Sequence, residues 1–204
     1  MPHDDHLIAA FDALMASAPS LDGVADAISA ARTAMQGTVT TPEPRDLPPA
    51  LAESVQRHAA ASGPAGGLVE AVDRLRDELV WSVAYDDHDE PDMQIVRANY
   101  RYTPLVGPEP FARHHSDEVA VFMTVQGPGV TYPPHVHKAP ELYVVVGGSG
   151  DWQIGDGDFA SKAPGDWIWH PTGTRHAMRT HSEAMSALAV WTTDPRSPSV
   201  IVRG

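Results

Sequence analysis

Three histidines and one glutamate stand in this chain at spacings that suit a metal ion. Gly129 is followed after five residues by His135-Val136-His137, after three more by Glu141 and after six more by Gly148. A second segment runs from Gly165 over five residues to Pro171, over one to Gly173 and over two to His176. On an extended strand, residues two apart share a face, so His135 and His137 point the same way, and Glu141 and Tyr143 keep that parity. Pro140 argues against one uninterrupted strand, because proline cannot donate to a ladder. Gly147-Gly148 can close the turn that follows, and Pro171-Thr172-Gly173 can bring His176 into the same site from another strand. Three neutral imidazoles and one carboxylate make a site for a divalent transition metal (Zn, Fe(II), Mn, Co or Ni) with room for one or two further ligands. Isolated polar side chains would explain any single H-x-H, but not two glycine-framed segments with every spacing filled.

The elements that must position these residues follow from periodicity. From Trp81 onward apolar residues alternate, and strands are expected over 81–85, 94–102, 118–125, 131–137, 141–146, 152–154, 167–169, 175–179 and 184–192. Short strands at such spacing make a sandwich or small barrel. Residues 1–80 instead carry a helical period. Leu7, Phe11, Leu14 and Met15 form one stripe. Pro19-Ser20 offers a stop and a cap, with Asp22 in the next first turn, and Leu21, Val24, Ala25, Ile28 and Ala31 form a second face that fades near Gly37. Residues 38–49 hold four prolines and read as an extended connector. Helix returns over 50–61, breaks over 62–67 and resumes through Leu68, Val72, Leu75 and Leu79. The chain is thus expected to divide into a helical segment, 1–80, packing on the barrel or on a partner subunit in a homodimer, and a barrel domain, 81–204, that holds the metal site.

Composition narrows the function classes. The 204 residues carry a formal charge of −13, which disfavours nucleic acid and anionic membranes alike. There is no cysteine, so disulfides, thiolate metal sites and cysteine nucleophiles are excluded. No run approaches the roughly 18 apolar residues of a spanning helix, and the acidic start Met1-Pro2-His3-Asp4-Asp5-His6 does not read as a signal peptide, so a cytoplasmic setting is expected.

The two glycine-framed segments resemble the two motifs of the cupin superfamily, with Thr180 where cupins often carry Asn. That resemblance covers roughly residues 95–192. It implies a mainly β fold, a double-stranded β-helix (jelly-roll) barrel behind an N-terminal α-helical segment, with the metal on His135, His137, Glu141 and His176. The finer text is similar to the cupin-type dimethylsulfoniopropionate lyases. It shares Tyr132-Pro133, the run His135-x-His137-x-Ala139-x-Glu141-x-Tyr143, Trp152 after the glycine turn, and Pro171 with His176-Ala177. Pro140 departs from the Glu that family members often carry there, which puts the surroundings of the metal in doubt.

What the resemblance implies is a β-elimination that splits a small zwitterionic sulfonium carboxylate into dimethyl sulfide and acrylate. The proton next to a negative carboxylate is weakly acidic, and a metal on that carboxylate stabilises the charge that develops. By resemblance Tyr143 is the base, and Tyr132 is the second pocket tyrosine that orients or assists. Tyr ionises near pH 10 in isolation, so a nearby cation is required. Trp152, Trp167, Trp169, Trp191, Tyr100 and Tyr102 are candidates to hold the sulfonium by cation–π attraction. His170, of opposite parity to Trp167 and Trp169, is expected to point away from their face and not to be a ligand. His114-His115 are expected in a polar loop, and His3, His6, His58, His88 and His181 on the surface. The acidic run 85–92 reads as a solvated turn. The same ligand set would serve an Fe(II) cupin dioxygenase, although that chemistry does not need Tyr143, or a non-catalytic cupin that binds a small ligand.

Overall fold

The computed structural model describes residues 3–20, 23–85, 87–108 and 110–203. Helices come first: α1 (His3–Met15), α2 (Val24–Met35), α3 (Pro49–Ala59) and α4 (Gly63–Arg74), then α5 (Pro91–Asn99) just ahead of the barrel. Among the described residues eleven strands follow: β1 (Tyr100–Gly107), β2 (His114–His115), β3 (Ala120–Gln126), β4 (Thr131–Val136), β5 (Glu141–Gly148), β6 (Gly150–Ile154), β7 (Ala160–Lys162), β8 (Trp167–His170), β9 (His176–Arg179), β10 (Met185–Trp191) and β11 (Val200–Ile201). They form a six-stranded sheet in the order β2-β1-β3-β10-β5-β8 and a five-stranded sheet in the order β11-β4-β9-β6-β7. Two such sheets, with the chain crossing between them from β3 to β6 and again from β7 to β11, are the jelly-roll barrel the motifs imply.

The pleat sorts side chains into two layers. Along β5, Leu142, Val144 and Val146 join the helical residues Phe11, Ala31, Val55 and Leu68 in one core between helices and sheet. The alternate residues Tyr143 and Val145 join Tyr132, Ile168 and Met178 in a second core inside the barrel. The expected α1 stripe of Leu7, Phe11, Leu14 and Met15 is buried. On α2 the buried set is Val24, Ala27, Ala31 and Met35, and Ala25 is exposed. Ala25 is one residue off the i, i+3, i+7, i+11 row, a rotation of about 100°. Leu21 and Asp22 lie outside the described residues. The expected break over 62–67 is shorter: α4 starts at Gly63, with Pro64 in its first turn where no N–H partner is needed.

Two strand expectations are corrected. Residues 91–99 are helical, because Pro91 starts α5 and Met93 and Val96 bury one helical face. The segment at 81–85 makes only an isolated bridge, Ser82 to Tyr102. Three strands went unanticipated: β2, β7 and β11 are two or three residues long, too short to show a period. Thr180, the departure from the cupin pattern, donates to the Gly127 carbonyl at 2.5 Å and accepts the Val130 N–H at 3.0 Å, pinning the β3–β4 turn.

Gly148 ends β5 at φ +64°, and a Cβ there would run into the Ala184 carbonyl. Gly148→Ala combines a left-handed residue with overpacking and is expected to lower stability by about 2–4 kcal/mol, read as a lower urea midpoint at unchanged slope.

Candidate metal centre and the cavity above it

Register brings the expected ligands together. The β4–β9 pairing sets His135 opposite His176, with ring centroids 4.0 Å apart. His137 follows β4 and is tied to the next motif by the Gly173 N–H, which donates to its carbonyl at 3.0 Å. Glu141 opens β5, with Trp191 opposite on β10 and His170 opposite on β8. A row from the six-stranded sheet, Trp191–Glu141–His170, thereby meets the His135–His176 pair of the five-stranded sheet. Tyr132 and His135 are three apart yet both face inward, because the β4–β9 register shifts between them at Pro133-Pro134.

The backbone decides which nitrogen each imidazole presents. His135 Nδ1 is 3.0 Å from the Pro133 carbonyl, His137 Nδ1 is 2.7 Å from that of Ala139, and His176 Nδ1 is 2.9 Å from that of Thr174. A carbonyl oxygen only accepts, so each Nδ1 donates its proton and each neutral ring turns an Nε2 lone pair to the centre. Glu141 Oε2 lies 2.9 Å from His137 Nε2 and 3.2 Å from His176 Nε2. Its other oxygen, Oε1, accepts the Trp191 indole N–H at 2.6 Å, and the same indole stacks on His137 at 4.4 Å. Lone pairs that face each other in a buried site need positive charge between them. His176 Nε2 has no hydrogen-bond partner. Ligand atoms of His135, His137 and His176 lie within 4.8 Å of one another, as do those of Glu141, His170 and His176. Nδ1 held by a carbonyl and Nε2 left free is how metal-ligating histidines are oriented, so these residues fit a divalent transition metal.

Electrostatics follow the same geometry. Burial, aided by the neighbouring His176, holds His135 well below its ordinary pKa. Burial also opposes charge on His137, but Glu141 outweighs it and raises that group above 6.5. Burial opposes the Glu141 charge too, yet His137, His170 and His176 hold its carboxyl well below the usual range. Tyr143 and Tyr132 are pushed well above 10, both chiefly by burial, Tyr143 further by the Glu141 charge.

Above the cluster lies a cavity of about 570 Å³ with His135, His137, Glu141 and Tyr143 among its lining. All five tyrosines of the chain line it: Tyr85, Tyr100, Tyr102, Tyr132 and Tyr143. Tyr132 packs on Tyr100 at 4.9 Å, and Phe122 sits between Tyr102 at 5.9 Å and Trp191 at 5.6 Å. Tyr85 holds φ +55°, a costly conformation for a bulky residue, and its hydroxyl meets Ser199 Oγ at 2.5 Å, joining the two segments that roof the cavity.

Several expectations change here. Of the proposed sulfonium-holding residues, Trp191, Tyr100 and Tyr102 line the cavity. Trp152 lies beneath it, against Tyr143 and His170. Trp167 and Trp169 pack on the helical side, and His170, of opposite parity as expected, therefore points into the barrel and is buried beside Glu141. The parity was legible; which face is inward depends on where the helices pack. His114 is wholly buried on β2 rather than in a polar loop. His58 is half-buried, with Nδ1 2.9 Å from Ser186 Oγ, and His88 is half-buried at the cavity mouth, 5.5 Å from the Tyr85 ring. His6 is also half-buried, His181 is exposed as expected, and the His3 side chain and Asp86 lie outside the described residues. Tyr85 and Phe122 carried no motif and could be found only by their aromatic character.

Comparison with known proteins gives one consistent answer. The family profile for dimethylsulfoniopropionate lyase matches residues 24–186. The dimethylsulfoniopropionate lyase DddQ of Ruegeria pomeroyi is 33% identical over 92 residues, which are 45% of this chain and 44% of that protein. The aligned stretch thus spans less than half the length of that curated relative. The crystal structure of DMSP lyase DddQ from Ruegeria pomeroyi DSS-3 superposes with a TM-score of 0.71 at 22% identity, covering 98% of this chain and 96% of that one. A chain from the crystal structures of the DMSP lyases RdDddP and RnDddQII gives 0.66 at 19% identity, covering 96% and 98%. These structures share the fold, and the profile spans most of the sequence: the chain belongs to the dimethylsulfoniopropionate lyase family, a family of carbon–sulfur lyases.

Proposed function

We propose that this protein is a metal-dependent lyase that cleaves dimethylsulfoniopropionate to dimethyl sulfide and acrylate by β-elimination. In this reading the barrel of residues 81–204 carries the site and the helices of residues 1–80 support it. The observation that carries the reading is the polarity of the cavity. At one end His135, His137 and Glu141 line it, with His176 buried behind them; the other end is aromatic. Among the described residues the lining holds one permanent cation, Arg196, which already pairs with Asp117 at 2.7 Å. That leaves no unpaired permanent cation among the described lining residues to meet a substrate carboxylate. A divalent ion on His135, His137, Glu141 and His176 would supply that charge as a Lewis acid.

The chain's own residues account for the remaining steps. The sulfonium end is placed against Tyr100, Tyr102 and Trp191, whose ring faces attract a desolvated cation. Tyr143, as tyrosinate, takes the proton next to the carboxylate. The pair from that C–H bond forms the double bond, and the C–S bond breaks with its electrons on sulfur, releasing neutral dimethyl sulfide and acrylate. The proton stays on the Tyr143 oxygen and returns to solvent before the next turnover. Tyr132, beside His135 at 4.6 Å, orients the substrate. The Glu141 charge works against Tyr143 ionisation, so the base becomes active only when positive charge sits beside that carboxylate.

The product ratio tests this reading. One acrylate per dimethyl sulfide with no oxygen consumed is expected; oxygen uptake in step with turnover would overturn it in favour of Fe(II) oxygenase chemistry. Metal uptake should also depend on pH. In the metal-free protein Glu141 raises His137 above 6.5, so a proton competes with metal there and affinity should fall as pH drops through that region. His135 is held well below its ordinary value and adds no competing proton in the same range. Chelator competition from about pH 5.5 to 8.5, with proton release read by an indicator dye, is expected to show about one proton released per ion at the acid end.

A further inference from the structure

His170 differs from the three histidines around it in the nitrogen it turns to the centre. The Trp152 indole N–H approaches His170 Nε2 at 3.3 Å. An indole N–H only donates, so this Nε2 holds the lone pair and the proton of the neutral ring sits on Nδ1. That Nδ1 is buried, has no hydrogen-bond partner, and stands 3.5 Å from Glu141 Oε2. The ring is held in place by stacking on His176 at 4.0 Å and 28°. His170 is not among the residues that line the cavity, so it is not placed to touch substrate.

A metal ligand must offer a lone pair, and His170 offers an N–H. Its membership with Glu141 and His176 in a cluster of ligand size is therefore misleading. We propose that His170 is a positioning residue: its Nδ1–H, fixed by Trp152, donates to Glu141 Oε2 and sets the rotation of that carboxylate. The register supports this. Trp191, Glu141 and His170 stand in one cross-strand row, so the carboxylate is flanked by an N–H donor on each side. Trp191 takes Oε1 at 2.6 Å, His170 takes one lone pair of Oε2, and the other lone pair of Oε2 is left turned to the imidazole Nε2 atoms. A buried N–H with no acceptor is a rare and costly arrangement, and the shift needed to close it is about half an ångström.

This inference rests on the metal reading above, and its test separates the two. Co(II) affinity by chelator competition, and the number of imidazole ligands by X-ray absorption, would be measured for the full chain, His170→Phe and His170→Asn. Phe keeps the ring volume without the donor; the Asn amide can replace the Nδ1–H. The expected result is about 10–100-fold weaker Co(II) binding in the Phe variant, most of it recovered in the Asn variant, with the imidazole count unchanged in both. Unchanged affinity in His170→Phe overturns the inference, and loss of one imidazole in His170→Asn overturns it by making His170 a ligand. Should the Phe variant fail to fold, near-native affinity with an unchanged imidazole count in the Asn variant carries the test. An unsubstituted protein that binds no Co(II) removes the metal reading and this inference together.

Discussion

Replacing Tyr143 by Phe is expected to lower turnover by about 10²–10⁴-fold while stoichiometric metal stays bound, the loss typical of removing a positioned general base. The ring is buried between Trp152 at 4.8 Å and His170 at 5.8 Å, and Phe preserves both contacts, so only the hydroxyl is lost. Stability should change little, and the defect should appear in kcat more than in KM. Turnover within a few-fold of the parent would move the base elsewhere, with Tyr132 the next group to examine. Loss of metal in the same variant would make the hydroxyl a ligand.

The second large effect is at a proposed ligand. His137→Ala should lose metal and activity together, by more than the about 10–100-fold seen when only an outer partner of a metal ligand is removed. The change also strips Glu141 Oε2 of its 2.9 Å neighbour and Trp191 of its stacking partner, so the carboxylate loses position as well as company. Metal content by atomic absorption, run beside turnover, checks this. Full activity with full metal would mean that the ligand set is misassigned.

The local chemistry of the site was written in short-range spacing. His135-Val136-His137, Glu141 and Tyr143 are close enough in sequence for parity to place them, and the glycine frames say where the strands end. His176 was legible because Pro171 and Gly173 mark a turn, and the β4–β9 pairing does set it opposite His135. What parity does not carry is the identity of the inward face. On β8 the alternation is right, yet Trp167 and Trp169 look toward the helices and His170 toward Glu141, because α1–α4 pack outside the six-stranded sheet. Long-range packing also explains α5: residues 94–102 hold alternating apolar residues, but Pro91 with Met93 and Val96 makes the first part a helix. The hydrogen bond from Trp191 to Glu141 spans 50 residues and has no local signal at all.

The central claim is that this cavity eliminates dimethyl sulfide from dimethylsulfoniopropionate, and headspace dimethyl sulfide tests it most directly. Purified protein, loaded with a divalent metal and shown to hold it stoichiometrically, would be given dimethylsulfoniopropionate under nitrogen. The account predicts rapid release that needs both protein and metal and proceeds without oxygen. No release from fully loaded protein would contradict it, leaving the histidine–glutamate centre intact and the substrate wrong.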